Sequence, residues 1–373
     1  MSRTRSTWTA VAGVLTASAC AAAVAVSTPA SALVVGPRPV PRQLDVIPPA
    51  GTAATLPGTS CTAFPADDIW HSDVSTLPVD PHSAQWLAHM QASTRSLHPD
   101  FGPSGGFPYG IPVTVAAATH PKVPVTFDYA DESDPGPYPL GSDTLIEGGP
   151  GATGDRHAIV VDAGTCRLYE TFDTRTSGGH WLAGSGAIWD LRSDALRPAG
   201  WTSADAAGLP ILPGLLRYDE VVSGHVDHAI RFTTNITDRS YVWPARHQAG
   251  SVSDPTYPPM GAWFRLRADY PETGLSPYTV AVVEAMKHHG LVLADNGSPW
   301  YFQGTADTRW PDVLINQLKA IPASAFVAVD VSSLLTSANS GQARSLLPTA
   351  TPGPMPTQPR CPPALQARPG ACS

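Results

Sequence analysis

Proline and glycine interrupt this chain forty and thirty-two times in 373 residues, so long helices have little room and the fold must rest on short segments joined by many loops. Between the breaks, runs of β-branched and aromatic residues recur at 111–117, 122–129, 157–162, 166–172, 186–191, 226–233, 260–268, 290–295, 300–303 and 325–331. Short strands bounded by Gly, Pro and Asp predict a mostly β chain: an antiparallel β-sandwich or jelly-roll-like single domain with a few peripheral helices. Those helices are clearly punctuated. In "SPYTVAVVEAMKHHG", Ser276 is the N-cap, Pro277 takes the first helical position and Gly290 follows the C-cap. "VDPHSAQWLAHM" uses Asp80 and Pro81 in the same way, and "WPDVLINQLKAIP" ends before Pro322.

The ends read differently from the middle. Two arginines in "MSRTRSTW", an apolar run and "ASA" at 30–32 predict a signal peptide over 1–32, hence a secreted protein. Residues 33–60 are rich in Pro, Gly and Thr without apolar periodicity and read as a flexible leader; the globular domain is expected over 61–335, with a Pro-rich tail over 336–373. After the signal, no stretch reaches the roughly 18–20 apolar residues of a membrane span. Cys61, Cys166, Cys361 and Cys372 remain, an even number suited to disulfides in an oxidising compartment. Of three connectivities we adopt Cys61–Cys166 with a local Cys361–Cys372 bridge. A net charge of −8 with three lysines and no basic cluster argues against nucleic acid.

Familiar catalytic motifs fail on context. "FGPSGGF" spells G-x-S-x-G at Gly102, Ser104 and Gly106, but Pro103 precedes the serine and "GFPYGIP" follows, so the strand and helix of a nucleophile elbow are missing. In "GHVDHAIRF", alternation sends His225 and Asp227 to one face and His228 to the other, so they do not chelate one ion. No cofactor or structural zinc is expected; calcium on scattered loop carboxylates, such as the acidic turn Asp131, Glu132 and Asp134, stays open beside a plain solvated turn. Thr202 with Asp205 reads as a helix N-terminal cap.

Polar residues on apolar faces carry more information. His157 aligns with Ile159 and Val161, Glu170 lies between Leu168 and Phe172, and His228 aligns with Ile230 and Phe232. If these faces line a groove, three titratable groups point into it; the alternative is a paired acid and hydrogen-bonded core histidines. Flanking loops add Arg217, Asp219 and Glu220 on one side and Trp243, Arg246 and His247 on the other. In "GLVLADNGSPWYFQGT", Asn296-Gly297 predicts a type I′ hairpin joining two strands, with Asp295 on the face of Leu291 and Leu293, and with Trp300 and Tyr301 either core or a sugar-stacking surface.

The strings "DIWHSDVSTLPVDPHSA", "LRPAGWTSADAAGLPILPGLLRYDEV", "HAIRF", "YVWPARH" and "LADNGSPWY" together resemble a group of secreted bacterial proteins to which no activity is assigned. The resemblance covers nearly all of 65–335 and implies one intact secreted domain, without implying a reaction. From the residues, the leading expectation is a monomeric carbohydrate-active enzyme cleaving glycosidic bonds of an extracellular polysaccharide or cell-wall glycan. Its expected acid is Glu170 and its nucleophile or base Glu220, with His157, His228 and His247 as further catalytic candidates. Trp243, Arg246, Asp295, Trp300 and Tyr301 are the expected substrate contacts. Two alternatives stand beside it: a polysaccharide lyase using His157, His228 and Arg246, and a non-catalytic glycan-binding protein stacking sugars on aromatics.

Overall fold

The structure, a computed structural model, describes residues 54–104 and 107–345. The signal peptide, most of the leader and the expected Cys361–Cys372 bridge lie outside the described residues. In chain order the strands are β1 His98–Asp100, β2 Gly102–Ser104, β3 Phe107–Tyr109, β4 Val113–Ala116, β5 Val125–Phe127, β6 Ala158–Asp162, β7 Arg167–Phe172 and β8 Arg175–Ser177. They continue with β9 His180–Ala183, β10 Ser185–Asp190, β11 Ile230–Thr234, β12 Trp263–Leu266, β13 Leu291–Asn296, β14 Tyr301–Gln303 and β15 Phe326–Val329. Among the described residues four α-helices accompany them: α1 Ser83–His89, α2 Tyr218–Ser223, α3 Pro277–His288 and α4 Asp312–Leu318.

Among the described residues the result is mostly sheet, with several mixed sheets, few helices and no barrel. A six-stranded sheet runs β1-β14-β11-β13-β12-β15, and a four-stranded sheet runs β10-β7-β6-β4. Smaller sheets pair β5-β9-β8 and β2-β3. The antiparallel jelly-roll order expected from the strand spacing is not what these pairings form, because β1·β14, β4·β6, β5·β9 and β11·β13 are parallel. A parallel pair needs a crossover rather than a hairpin. Between β11 and β13 the crossover carries β12 and α3, whose Val282, Val283 and Met286 are fully buried. Helix α3 starts as its sequence predicts, with Ser276 Oγ accepting from the Thr279 amide at 3.2 Å. For α1, Asp80 instead accepts from the His82 amide at 2.7 Å, and the helix begins at Ser83.

The expected Asn296-Gly297 hairpin does not form, for a topological reason: β11 lies between β13 and β14. The connection wraps the end of β11, with Gly297 N donating to Thr234 O at 2.8 Å and Trp300 N to Thr233 O at 3.0 Å. A Cβ on Gly297 would meet Thr233 Oγ1 at 2.9 Å, so the glycine permits this close passage. Trp300 then drops into the core against Phe232, Phe264 and Phe326 and donates its indole N–H to Met90 O at 2.9 Å.

Cys61 and Cys166 are joined by a disulfide across 105 residues, which ties the entry segment to the start of β7. The folded body reaches into the expected leader, because Leu56 is buried in the core. It also includes the start of the expected tail: Gly341 N donates to Asp194 O at 2.6 Å and Ala343 N to Asp67 O at 2.8 Å. No helix among the described residues is long and apolar enough to cross a membrane. Because a cross-link acts largely by restricting the unfolded chain, replacing Cys61 and Cys166 together by Ala is expected to lower unfolding free energy by ~3–5 kcal/mol. Urea denaturation of both proteins, monitored by circular dichroism, measures the difference.

Candidate active site

Strand β11 is buried throughout, but its two faces differ chemically. Alternation sends Ile230, Phe232 and Thr234 to one side and Arg231 and Thr233 to the other. Neighbouring strands extend the polar side: Thr233 is opposite Tyr301 on β14, and Gln303 is opposite Asp100 on β1. On β13 the register slips, so that Phe232 faces Leu293 but Thr233 faces Asp295, leaving Ala294 as the extra residue. This bulge turns Asp295 over. Regular alternation would leave it beside Leu291 and Leu293, as the sequence predicts; instead its carboxylate lies 3.9 Å from Arg231 Nη2.

Arg231 organises this face. Its Nε and Nη2 donate to the two oxygens of Asp205 at 2.9 and 2.7 Å, and Nη1 donates to Gln303 Oε1 at 2.7 Å. Gln303 in turn donates to Asp100 Oδ2 at 3.4 Å, while Tyr109 donates its hydroxyl to Asp100 Oδ1 at 2.6 Å. Burial opposes the guanidinium charge, but the Asp205 carboxylate outweighs it and holds Arg231 above the ordinary arginine value. Asp295, one quarter exposed, is pushed up to about 7, first by burial and then by the negative charge of Asp205, against the pull of Arg231 and His157.

The opposing wall carries His157, immediately before β6. Its Nδ1 lies 2.8 Å from Glu147 Oε2 and its Nε2 donates to Ala204 O at 3.1 Å. Both ring nitrogens therefore face acceptors, which favours the doubly protonated ring. Burial pushes His157 down, but the hydrogen bond and charge of Glu147 raise it above the ordinary value. For Glu147, burial pushes up and the same partner holds it below the ordinary carboxylate range. Asp100, Tyr109, Glu147, His157, Arg231 and Asp295 all line one cavity of about 280 Å³. A second cavity, of about 360 Å³, shares the wall of Asp155, Asp295 and Asn296 and contains Tyr129, Phe172 and His247.

The sequence candidates divide sharply. His157, Asp295 and Tyr301 line the first cavity and His247 the second. Tyr301 stacks on His98 at 3.9 Å, and His247 Nδ1 lies 2.8 Å from Ala206 O. Glu170 and Glu220 are not in either cavity. Glu170 is fully buried and accepts from the amides of Ile211 and Leu212 at 2.9–3.0 Å; burial pushes it up to about 7 against those donors. Glu220 is bound by Arg217 and lies 3.1 Å from Nε2 of the fully buried His228. Burial pushes Glu220 up, but Arg217 and His228 hold it below the ordinary range. The expected acid and base thus sit in separate sealed niches, and His228 belongs to one of them.

The expected binding residues Trp243, Arg246 and Trp300 line neither cavity. Trp243 donates to Ser340 O at 2.9 Å, and Arg246 is spent on the carbonyls of Arg197 and Ala338 and on the Asn339 side chain. Sequence reasoning missed Asp100, Tyr109, Glu147, Arg231 and Gln303, and it took Asp205 for a helix cap where no helix forms. The usable signal was the second face of "HAIRFTT", where Arg231 and Thr233 alternate with apolar residues.

Among the described residues no cluster of three or more His, Cys, Asp or Glu side chains is arranged to hold a metal ion. No family model, curated protein or solved structure matches this chain.

Two stability measurements probe this geometry. Arg231→Met leaves the fully buried Asp205 without its counter-charge and is expected to cost ~3–5 kcal/mol; Arg231→Lys, which lacks the planar fork, should recover only part of it in denaturant titrations. The His157–Glu147 pair should show a pH window. The raised His157 contributes fully below its ordinary 6.5 and fades as pH climbs through its folded-state value, whereas the lowered Glu147 contributes fully above 4.5 and fades as pH falls through its own. Glu147→Gln is therefore expected to destabilise by ~1–3 kcal/mol near pH 5–6 and by less on either side, as read from unfolding free energies across pH.

Proposed function

We propose that this chain is a secreted hydrolase that cleaves glycosidic bonds of an extracellular polysaccharide by carboxyl acid/base chemistry, without a cofactor. The observation that carries this reading is a divergence of two carboxyl groups lining one cleft: Asp295 is pushed up to about 7 and Glu147 is held below its ordinary range. Environments that drive two acids apart assign one as proton donor and the other as ionised partner. Asp295 gives its proton to the glycosidic oxygen as the C–O bond breaks. The hydroxyl of one water ends on the anomeric carbon, and the remaining proton passes by way of Glu147 to restore Asp295. Asp100 with Tyr109 supplies hydrogen bonds to sugar hydroxyls.

The lyase alternative is less well supported. A uronate needs a cation to neutralise its carboxylate, whereas Arg246 is committed to the backbone and Arg231 to Asp205 and Gln303.

The test is a polysaccharide panel assayed for new reducing ends and for absorbance of unsaturated products. Reducing ends without unsaturation are expected. The rate should fall as pH rises through about 7, where Asp295 loses its proton, and again on the acid side below the ordinary carboxylate range, where Glu147 gains one. Asp295→Asn and Glu147→Gln are each expected to reduce kcat by ~10²–10⁴-fold in folded protein. Full activity in Asp295→Asn would overturn the assignment, and unsaturated products would favour the lyase.

A further inference from the structure

Building on the reading of this cleft as glycan-cleaving, we propose that the ligand is a polysaccharide chain without acidic groups, running through both cavities and straddling Asp295, so that it is cut internally rather than trimmed from an end. The first argument is placement. Asp295 lies on the wall that the two cavities share, with Asp155 and Asn296 beside it. A ligand of one ring would occupy one cavity and leave the other without a role, whereas a chain occupying both presents an inter-unit bond to the shared wall. Both cavities also reach the surface, the first at Tyr109, 49% exposed, and the second at Tyr129, 56% exposed. A chain occupying both can therefore extend to solvent from each.

The second argument is the chemistry of the walls. The first cavity is dominated by hydrogen-bonding groups, while the second sets the rings of Phe172 and Tyr129 among the hydroxyls of Ser185 and Thr202. Ring faces beside hydroxyl donors and acceptors suit a sugar unit, which has an apolar face and a polar rim. The third argument is charge. Each cation of the first cavity is engaged by a carboxylate of its own, Arg231 by Asp205 and His157 by Glu147. Asp100 accepts hydrogen bonds from the neutral donors Tyr109 and Gln303. An acidic chain would add negative charge beside Asp100 and Asp155, so neutral or amino-bearing chains are admitted and uronates are excluded.

The experiment measures binding by calorimetry to folded Asp295→Asn protein and hydrolysis by wild type. The probes are neutral glucan and N-acetylglucosamine oligomers of two to six units, their glucosamine counterparts, and oligogalacturonate. Binding and kcat/KM are expected to rise about tenfold or more from dimer to hexamer, because remote units contribute binding energy used at the reacting bond. Products of internal cleavage should appear first, and oligogalacturonate should not bind. Tyr129→Ala should flatten the dependence on length, and Asp100→Asn should relax the exclusion of uronates. Hydrolysis with no dependence on length, or release of single end units only, would overturn the straddling chain while leaving the acid/base reading intact. Length-dependent binding without hydrolysis would do the reverse. Preference for oligogalacturonate, binding of a lysine-rich peptide in place of every glycan, or no binding to any chain would overturn the proposal.

Discussion

Strands β11, β14 and β1 are joined by backbone ladders, and the loop carrying Asp205, which also donates Ala207 N to Ala294 O on β13 at 2.9 Å, is tied to the same face by Arg231, whose guanidinium grips that carboxylate through two bonds and Gln303 through a third. Removing such a charge from water is costly, and a well-packed apolar replacement could match the pair in net stability. What the pair supplies is position. Through Gln303 it orients Asp100, and through Asp205 it helps hold the segment whose Ala204 carbonyl accepts a hydrogen bond from His157 Nε2. Both walls of the first cavity therefore refer to one buried cation.

Backbone irregularity does the remaining positioning. A regular β13 would point Asp295 into the packing beside Leu293, where a carboxylate would have no route to a ligand. The extra residue Ala294 changes the parity of everything after it and delivers Asp295 to the polar face. The chain must then cross the end of β11 to reach its next strand, and it does so within hydrogen-bond distance of Thr233 and Thr234. Gly297 is required by that crossing rather than by a hairpin turn.

Local signals in the sequence were therefore readable where local physics decides the outcome. The N-cap of α3 and the strand-forming runs between proline and glycine emerge from residue types and short-range punctuation, whereas the Cys61–Cys166 bridge, 105 residues apart, was one of three connectivities that the cysteine count allowed. Parity over a whole strand was not readable at β13, because nothing in "LVLADN" distinguishes an alternating strand from one with a bulge. Nor was the partner of Arg231, which lies 26 residues away in a segment whose local pattern suits a helix cap equally well. Glu147 and Asp100 lie in stretches broken by glycine and proline, where no periodicity marks an inward-facing side chain.

Glu170 and Asp295 show why an apolar neighbourhood alone misidentifies an acid. Both are pushed to about 7, burial is the largest cause in each, and the charge of Asp205 adds to both. Their surroundings differ in what fills the oxygens. Glu170 has no exposure, and its carboxyl is occupied by the amides of Ile211 and Leu212, so a change in its protonation would break bonds that hold a buried loop. Asp295 has one quarter of its side chain open on the wall between two cavities. A shifted acid becomes a proton donor only when a ligand can reach it, and in this fold it is the bulge at Ala294, more than any shift, that separates the two.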